Sequence, residues 1–561
     1  MIFGRSRSNT MATTTSQFFA ETVHGYGITH LFMVPAIFTP SMAAMEDLGI
    51  RRVTTHHEIA AAYMADGYAR ASKGPGLCMG QSVGSANLAA GLRDAYLSSS
   101  PVIAISGGPQ PDFRYKYLYQ VVDDFSMYEP VTKFNAMVEK PSRLPDLLRQ
   151  AFRAAVTGTP GPVHLEFPGR LGEGVNGDGE FQVIIEERFK HFPAYRPESE
   201  LSALQEAAAL LTSSKKPVIV AGGGVHASGA SAELRKLAEK LNIPVATTPT
   251  GKAAIPENHY LNVGMVGSYG RWSTNEFVEE ADLVFFIGSR TGGLATKNWL
   301  TPVPGTPVIQ LDIEAEEIGR NYPPKVGIVG DAKVSLARLV EMVQAAGKSA
   351  WTEKAQADLA AWKAEKAPAL ASEATPIRPE RLCKEITEFL PEGGVVVSDT
   401  GHAAIWSGTM IDLNKPGQRY IRCAGHLGWA FPASLGVKCA LPDKAVVCFT
   451  GDGGFYYHMS ELETAARFGI ATVVVVNNNG ALQQVRRGFD RAYGGAQRGR
   501  AHEMWVFEPG NLAAVAQNMG CVGIRVEKPD DIRPALDEAL ASKRPALIDV
   551  VTDLDIQPQW W

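Results

Sequence analysis

The clearest pattern of apolar and polar positions lies between residues 445 and 480. Residues 445–449 form an apolar run that predicts a buried strand, and a Gly-Asp-Gly turn follows it. An amphipathic stretch to about residue 468 predicts a helix, and residues 472–476 predict a second strand that ends in three asparagines. This order is that of a βαβ unit, in which both strands belong to one parallel sheet.

Two polar residues follow the two predicted strands. Asp452 and Asn479 lie 27 positions apart, and one βαβ unit would bring them to the same carboxyl edge of the sheet. A carboxylate, a side-chain amide and a free backbone carbonyl form an all-oxygen set, which suits Mg²⁺ better than zinc. The glycines beside Asp452 would let a phosphate approach the backbone at a helix start. The alternative is a solvated aspartate in an ordinary strand–turn–helix loop.

Strand and helix patterns alternate along the rest of the chain. They predict an α/β fold of three consecutive domains, at 12–172, 198–345 and 376–555, each a parallel sheet flanked by helices. A Gly/Pro-rich passage ends the first domain, and a charged helix at about 350–372 is expected to join the second to the third.

Composition excludes several classes of protein. A chain of 561 residues is too long for a single core, and its net charge of −5, with no long basic run, argues against nucleic acid as a partner. No apolar stretch reaches the roughly 20 residues of a membrane helix, so no membrane partner is expected. Six cysteines without a CxxC pair suit a reducing cytoplasm. Residues 1–10 are expected to be a disordered extension, and translation could start at Met1 or Met11.

The turn and the asparagines have a counterpart in a known family. GDG, about two dozen residues and NN resemble the diphosphate/Mg²⁺ signature of thiamine-diphosphate (ThDP) enzymes. The resemblance implies ThDP and Mg²⁺ as cofactors, with the side chains of Asp452 and Asn479 and the carbonyl of Ala481 as metal ligands. Asn478 could be confused with the ligand, but the 27-position interval favours Asn479. The cofactor loops would also include Gly451, Gly453, Gly454 and Leu482.

The helix predicted after residue 55 carries a second resemblance. HHEIAAAYMADGYARAS is similar to the helix that bears the activating glutamate of ThDP enzymes, which places Glu58 at N1′ of the cofactor's aminopyrimidine. A carboxylate is needed there because the group must hold a proton. The alternative is an acidic first-turn residue that favours the helix dipole.

Two stretches resemble the substrate side of the same enzymes. GQSVGSANLAAGLRDAYLSSSP is similar to a segment of acetolactate synthases and benzoylformate decarboxylase, and it places Gln81 where the decarboxylase has a histidine. YQVVDDFSMYEPVTKFN resembles the FQE…PVTK segment of acetolactate synthase, which implies a catalytic position for Gln120 near the cofactor and places Lys133 near the domain's edge. The alternative for Gln120 is a surface loop amide.

Two stretches of the third predicted domain complete the implied cofactor site. In SDTGHAAIW, Thr400, Gly401 and His402 would offer donors to the diphosphate from a helix start, although a histidine there is also common as a cap or surface residue. RCAGHLGWAFPASLGV resembles the loop that supplies Gly425 and the bulky Leu427. Leu427 would hold the cofactor bent, so that its aminopyrimidine nitrogen reaches the reacting carbon.

The middle domain binds FAD in several related enzymes. Residues 264–267 and 288–290 are similar to FAD-contacting loops, but the RFDDR pattern of FAD-binding synthases is replaced from Arg290 onward by Arg-Thr-Gly-Gly. Binding of FAD or an adenine nucleotide by this domain therefore stays an open alternative.

The chain is identified as a member of the acetolactate synthase, benzoylformate decarboxylase and pyruvate oxidase family, over residues 16–553. This implies a carboligase or decarboxylase that cleaves or forms C–C bonds of a small 2-oxo acid. One alternative is a lyase for a 2-hydroxyacyl-CoA or hydroxyketone, favoured if arginines of the 486–500 segment bind an anion rather than solvent. Others are a flavin-linked 2-oxo acid oxidase and a non-enzymatic relative. The expected partners are a 2-oxo acid, aldehyde or acyl-CoA substrate and further copies of the chain, in a cytoplasmic homodimer or homotetramer with shared active sites.

Overall fold

The structure, a computed structural model, describes residues 13–35, 37–508 and 510–559. The chain divides into two compact units. The first unit runs to Tyr195 and includes Leu435–Pro442, and the second contains Arg196–Ser434 and the chain from Asp443. The proposed extension at residues 1–10 and the start at Met11 lie outside the described residues.

The first unit is built on a six-stranded parallel sheet in the order β3-β2-β4-β5-β7-β6, and a short antiparallel pair joins β1 to β8. Its strands are β1 Thr13–Thr14, β2 His30–Met33, β3 Arg51–Thr54, β4 Gly76–Gly80, β5 Val102–Gly108, β6 Phe134–Met137, β7 Val163–Pro168 and β8 Asp178–Gly179. Its helices are α1 Thr15–Gly25, α2 Thr39–Asp47, α3 Glu58–Ser72, α4 Ser85–Leu97 and α5 Leu144–Val156. Apolar residues of α1, α5 and the strands, among them Phe19, Leu148 and Ile103, form a buried core.

The second unit begins with a parallel sheet in the order β11-β10-β9-β12-β13-β14. Its strands are β9 Pro217–Ala221, β10 Val245–Thr247, β11 Asn262–Met265, β12 Leu283–Ile287, β13 Val308–Asp312 and β14 Val326–Val329. The helices are α6 Leu201–Ser213, α7 Gly223–Ser228, α8 Ser231–Leu241, α9 Trp272–Glu279 and α10 Ala332–Met342, followed by the long α11 Ala350–Leu370. Two apolar clusters bury the two faces of this sheet, as expected for strands that read as continuous apolar runs.

The third sheet has the order β16-β15-β17-β18-β20-β19 and is also parallel. Its strands are β15 Val395–Ser398, β16 Arg419–Arg422, β17 Val446–Gly451, β18 Val473–Asn478, β19 Val522–Val526 and β20 Ala546–Val551. The helices of this part of the chain are α12 Pro379–Phe389, α13 His402–Met410, α14 Ala430–Ala440, α15 Asp452–Tyr456, α16 Glu461–Phe468, α17 Arg486–Ala492, α18 Leu512–Asn518 and α19 Ile532–Ala541.

Three parallel sheets flanked by helices confirm the predicted α/β class. The domain boundaries 12–172, 198–345 and 376–555 stay predictions. Within the described residues, none of the helices combines the length and the apolar character needed to span a membrane. The six cysteines are free thiols, and five of them are buried.

The prediction of one continuous helix after the Gly-Asp-Gly turn is wrong. The structure has two helices there, α15 and α16, separated by residues 457–460. In that interval the N–H groups of Tyr457 and His458 donate to carbonyls three residues back, those of Gly454 and Phe455. The tighter spacing of these bonds ends the first α-helix.

Candidate functional site

Asp452 lies where the sequence analysis places it, at the carboxyl edge of the third sheet. It directly follows β17, opens α15 and is only 2% exposed. Its Oδ1 accepts the N–H of Gly453 at 2.7 Å, and its Oδ2 accepts the N–H of Ala481 at 2.9 Å. Burial raises the pKa of Asp452 to about 6, against these backbone hydrogen bonds, which lower it. The carboxylate thus joins the ends of two adjacent strands.

The three asparagines have different surroundings. Asn477 and Asn478 still belong to β18 and pair with Val550 and Val551 of β20. The Asn478 side chain donates to Asp549 Oδ1 at 2.7 Å and accepts the N–H of Gly480 at 3.2 Å, so its polar atoms are occupied. Asn479 is the first residue beyond the strand. Its Nδ2 donates to Oε1 of Gln483 at 3.0 Å, which leaves Oδ1 as the group able to bind a ligand.

These groups fit a hard cation that keeps phosphate oxygens among its ligands. Asp452 forms no ion pair with a basic side chain in the described part of the chain, so its buried charge lacks a protein counter-charge. Among the described residues, no group of three His, Cys, Asp or Glu side chains could hold a metal. One carboxylate, one amide oxygen and one carbonyl oxygen are too few ligands for a metal held by protein alone. They suit an Mg²⁺ ion that takes its remaining ligands from a phosphate.

The start of α13 supplies a second polar group. Gly401 precedes the helix with φ +67°, a conformation that favours glycine, and an added Cβ would lie 2.9 Å from Oε1 of Gln484. His402 is buried, so the surface alternative for this residue is wrong. Its Nδ1 lies 3.0 Å from Oε1 of Gln483, an acceptor, and therefore carries the proton.

The other ring nitrogen of His402 marks a binding position. Its Nε2 is buried and has no hydrogen-bond partner among the residues the structure describes. Burial lowers the pKa of His402, and Gln483 partly opposes this. A buried polar atom without a partner is costly unless a ligand or water meets it. The helix start therefore fits a polar ligand beside Asp452 and Asn479.

Gln483, which was not predicted from the sequence, connects Asn479 and His402. Its Oε1 accepts from both Asn479 and His402, and its Nε2 donates to the carbonyls of Leu554 and Ile556. No periodicity or motif marks this glutamine, because all its partners except Asn479 lie more than 70 positions away in the chain.

Asp399, which was not predicted from the sequence, is a buried carboxyl group that connects its own loop to the 428–430 segment and to the end of β17. Its Oδ1 accepts the N–H groups of Thr400 at 2.8 Å and Gly428 at 3.1 Å. Its Oδ2 accepts from Ala430 N at 3.2 Å and Thr450 Oγ1 at 3.3 Å. Burial raises the pKa of Asp399 to about 6, and these bonds act in the opposite direction. An aspartate directly after a buried strand was the signal that could have identified it.

The remaining predicted residues of this site lie on the same loops. Gly425 is exposed and Leu427 is half-buried, on the loop between β16 and α14. Leu482 is also half-buried. Gly451 ends β17, and Gly453 and Gly454 belong to α15.

Glu58 opens α3 in the first unit and is 8% exposed. The side chain of His57 already caps this helix, because its Nδ1 accepts the N–H of Ile59 at 3.1 Å. Oε2 of Glu58 accepts Nδ2 of Asn87 at 3.1 Å, a partner that the sequence analysis missed. A side chain at Gly84 would clash with Oε1 of Glu58. The carboxylate is therefore enclosed at the edge of the sheet, as an acid–base group would be.

Gln81 and Gln120 lie at the same edge of the first unit. Gln81 directly follows β4 and is half-buried. Oε1 of Gln120 accepts a hydrogen bond from NH1 of Arg170 at 3.0 Å, so Gln120 is not a free surface amide. Lys133 is exposed and donates to backbone carbonyls of Ala154 and Thr157 near the end of α5, which is a structural contact.

The glycines of the central sheet have a packing role. A side chain at Gly224 would lie 2.6 Å from Cα of Gly288, so the glycine turn is already filled by a neighbouring backbone. The predicted arginine-rich segment is partly held by acids, since Arg486 pairs with Asp555 at 2.9 Å and Arg500 with Glu503 at 2.7 Å. Neither feature adds support for a bound nucleotide or for anion binding by the arginines of the 486–500 segment.

Comparison with known proteins matches all three parts of the chain to domains of thiamine pyrophosphate enzymes. Residues 13–127 match the family model "Thiamine pyrophosphate enzyme, N-terminal TPP binding domain", residues 204–339 its central domain and residues 399–550 its C-terminal TPP binding domain. The chain is 34% identical to a probable acetolactate synthase large subunit of Methanocaldococcus jannaschii, over 94% of this chain and 90% of the relative. It is 33% identical to the acetolactate synthase large subunit of Corynebacterium glutamicum, over 91% of this chain and 81% of the relative. It is 32% identical to a glyoxylate carboligase of Escherichia coli O157:H7, over 95% of this chain and 91% of the relative.

Proposed function

Since the chain belongs to the family of thiamine pyrophosphate enzymes, we propose that it is an acetolactate-synthase-like carboligase or decarboxylase that uses ThDP and Mg²⁺ on a small 2-oxo acid. The relatives named acetolactate synthase and glyoxylate carboligase support the carboligase class. The observation that carries the proposal is the polar set formed by the buried Asp452 and His402 and the half-buried Asn479. Among the described residues, Asp452 has no basic partner and the Nε2 of His402 has no hydrogen-bond partner.

In this proposal the third sheet holds the diphosphate end of the cofactor. The side chains of Asp452 and Asn479 and the carbonyl of Ala481 would hold Mg²⁺, and the start of α13 at Gly401 and His402 would meet the phosphate oxygens. Asp399 and Gln483 do not bind the cofactor but fix the loops that do, because each accepts or donates hydrogen bonds on at least two of them.

Glu58 is the proposed acid–base residue. Bound ThDP supplies a carbon that adds to a ketone carbonyl and allows the neighbouring C–C bond to break. Glu58 holds a proton at N1′ of the aminopyrimidine, and Asn87 fixes its carboxylate through a single hydrogen bond. Leu427 presents a half-buried apolar side chain that would hold the cofactor bent. Gln81 and Gln120 lie on the substrate side. The protein is proposed to work in the cytoplasm as a homodimer or homotetramer with shared active sites.

A substrate screen tests this function. The purified protein, supplied with ThDP and Mg²⁺, is offered 2-oxo acids, acyloins and 2-hydroxyacyl-CoA esters while CO₂ and aldehyde release are followed. We expect CO₂ release from a small 2-oxo acid, dependent on both cofactors, and an acyloin-type product. Cleavage restricted to the CoA esters would support the lyase alternative. A yellow protein that transfers electrons to an acceptor would support the oxidase. Absence of ThDP binding would contradict the whole proposal.

A further inference from the structure

Arg170 is a cationic residue of the first unit for which neither the motifs nor the proposed cofactor chemistry gives a role. It follows β7, and its backbone carbonyl accepts the N–H of Ser82 at 3.0 Å, on the loop after β4 that also carries Gln81. A side chain at Gly107, near the end of β5, would press against the same carbonyl at 2.5 Å. The backbone of Arg170 is therefore fixed by the ends of two neighbouring strands.

The guanidinium of Arg170 is held in place but carries an uncompensated charge. Its NH1 donates to Oε1 of Gln120, a neutral group, at 3.0 Å. Arg170 has no carboxylate partner in the described ranges of the chain, and it is only half exposed to water. The acid nearest in sequence, Glu173, instead accepts the N–H of Leu171 at 2.7 Å. A guanidinium has five donors in a planar fork, so most of them remain for a ligand.

The backbone of Arg170 bonds to the loop that packs against Glu58, the proposed acid–base residue. The loop after β4 runs from Gln81 to Gly84, and Gly84 packs directly against the carboxylate of Glu58. The backbone of Arg170 is bonded to this same loop at Ser82. A half-exposed guanidinium, held by Gln120 on a residue whose backbone bonds to this loop, suits recognition of a carboxylate, because both groups are planar and can form two parallel hydrogen bonds.

We propose that Arg170, oriented by Gln120, binds the carboxylate of an anionic substrate and so selects 2-oxo acids over neutral carbonyl compounds. This inference rests on the proposed function, since it assigns a substrate-binding residue to that site. A competing explanation is that the hydrogen bond from Arg170 only fixes the loop around Gln120, in which case charge on the ligand would not matter.

Oxamate and oxamide separate these explanations. Oxamate has the shape and charge of a small 2-oxo acid but an unreactive carbonyl, and oxamide is its neutral counterpart. Binding of each is measured by calorimetry to the protein reconstituted with ThDP and Mg²⁺. The variants are Arg170→Gln, Arg170→Lys and, as a matched control, Arg149→Gln, which changes a half-buried arginine of α5.

We expect Arg170→Gln to weaken oxamate binding ten- to hundredfold, the range for a lost hydrogen bond between charged groups, and to leave oxamide and ThDP binding unchanged. Arg170→Lys should retain part of the affinity because it keeps the charge but loses the planar fork. Arg149→Gln should resemble the wild type.

Equal oxamate binding by Arg170→Gln and the wild type would overturn the proposal, as would equal losses for oxamate and oxamide. If Arg170→Gln does not fold, oxamate and oxamide binding are compared between Arg170→Lys and the wild type instead. A loss of affinity for oxamate alone would support the proposal, and equal losses or no loss would overturn it. A wild type that binds ThDP but prefers oxamide also overturns it. A wild type that binds no ThDP contradicts the proposed function itself, which the titration with cofactor alone reveals.

Discussion

Glu166 is a fully buried carboxyl group on β7 of the first unit, and Glu166→Gln should make that unit more stable at alkaline pH. Its side chain is 0% exposed, and neither carboxyl oxygen has a hydrogen-bond partner among the described residues. The charged groups that face it are Asp124, Asp123 and Arg114. Burial, followed by the two aspartates, raises the pKa of Glu166 to about 8, and Arg114 only partly opposes the shift.

The expected magnitude follows from the protons bound in each state. An unfolded glutamate titrates near 4.5, so between that pH and about 8 the native protein keeps a proton that the unfolded chain has lost. Native stability therefore falls as pH rises through this window, by up to about 1.4 kcal/mol per pH unit, until Glu166 ionises in the native state as well. Relaxation and water entry reduce such penalties, so we expect about 2–3 kcal/mol at pH 9. Glutamine has no charge to bury and should not show this fall.

Hydrogen exchange followed by mass spectrometry is the suitable assay, because all nine tryptophans lie outside residues 1–195 and their fluorescence does not report on this part of the chain. Protection of peptides that cover β5 and β7 is compared at pH 5, 7 and 9, after correction for intrinsic exchange. Glu166→Gln should match the wild type within about 1 kcal/mol at pH 5 and exceed it at pH 9. Glu129→Gln, at an exposed position of the 110–133 loop, serves as the control. Identical pH dependence of the wild type and Glu166→Gln would refute the reasoning.

Three further predictions concern the third sheet. Asp452→Ala should abolish Mg²⁺-dependent ThDP binding in calorimetry, because the site loses its charged ligand; tight, metal-dependent binding by the variant would exclude the assignment. Leu427→Ala should lower turnover more than ThDP affinity, whereas equal losses would indicate a packing residue. Asp399→Asn keeps the shape of the side chain but weakens its hydrogen bonds to Thr400, Gly428 and Thr450, so it should cost about 1–3 kcal/mol in thermal unfolding and reduce ThDP affinity. An unchanged melting temperature would contradict the role given to Asp399.

The positions of Asp452 and Asn479 could be predicted because two rules apply to them. Adjacent parallel strands end at one edge of the sheet, and each residue directly follows an apolar run. The same rules apply to Asp399, which directly follows the apolar strand β15. The continuous amphipathic pattern hid the interruption at residues 457–460, because a tight turn leaves apolar periodicity almost unchanged.

Other parts of the site depend on contacts between distant segments. Gln483 meets His402 across 81 positions, and Arg170 meets Gln120 across 50, from loops without periodicity. Such pairs are set by the way the sheets bring loop ends together, and no local propensity of a glutamine or arginine predicts them. Asn87 belongs to the same group, because its partner Glu58 lies on another helix.

The central claim is that Glu58 holds the proton at N1′ of bound ThDP, and it is tested by hydrogen–deuterium exchange at C2 of the thiazolium ring. Exchange is quenched and read by NMR for the wild type, Glu58→Gln and the exposed control Glu129→Gln, after calorimetry has shown that all three bind ThDP. The account predicts that Glu58→Gln slows exchange by about two to four orders of magnitude, since the amide cannot act as the acid or base. Glu129→Gln should match the wild type. Exchange in Glu58→Gln at the wild-type rate would contradict the account.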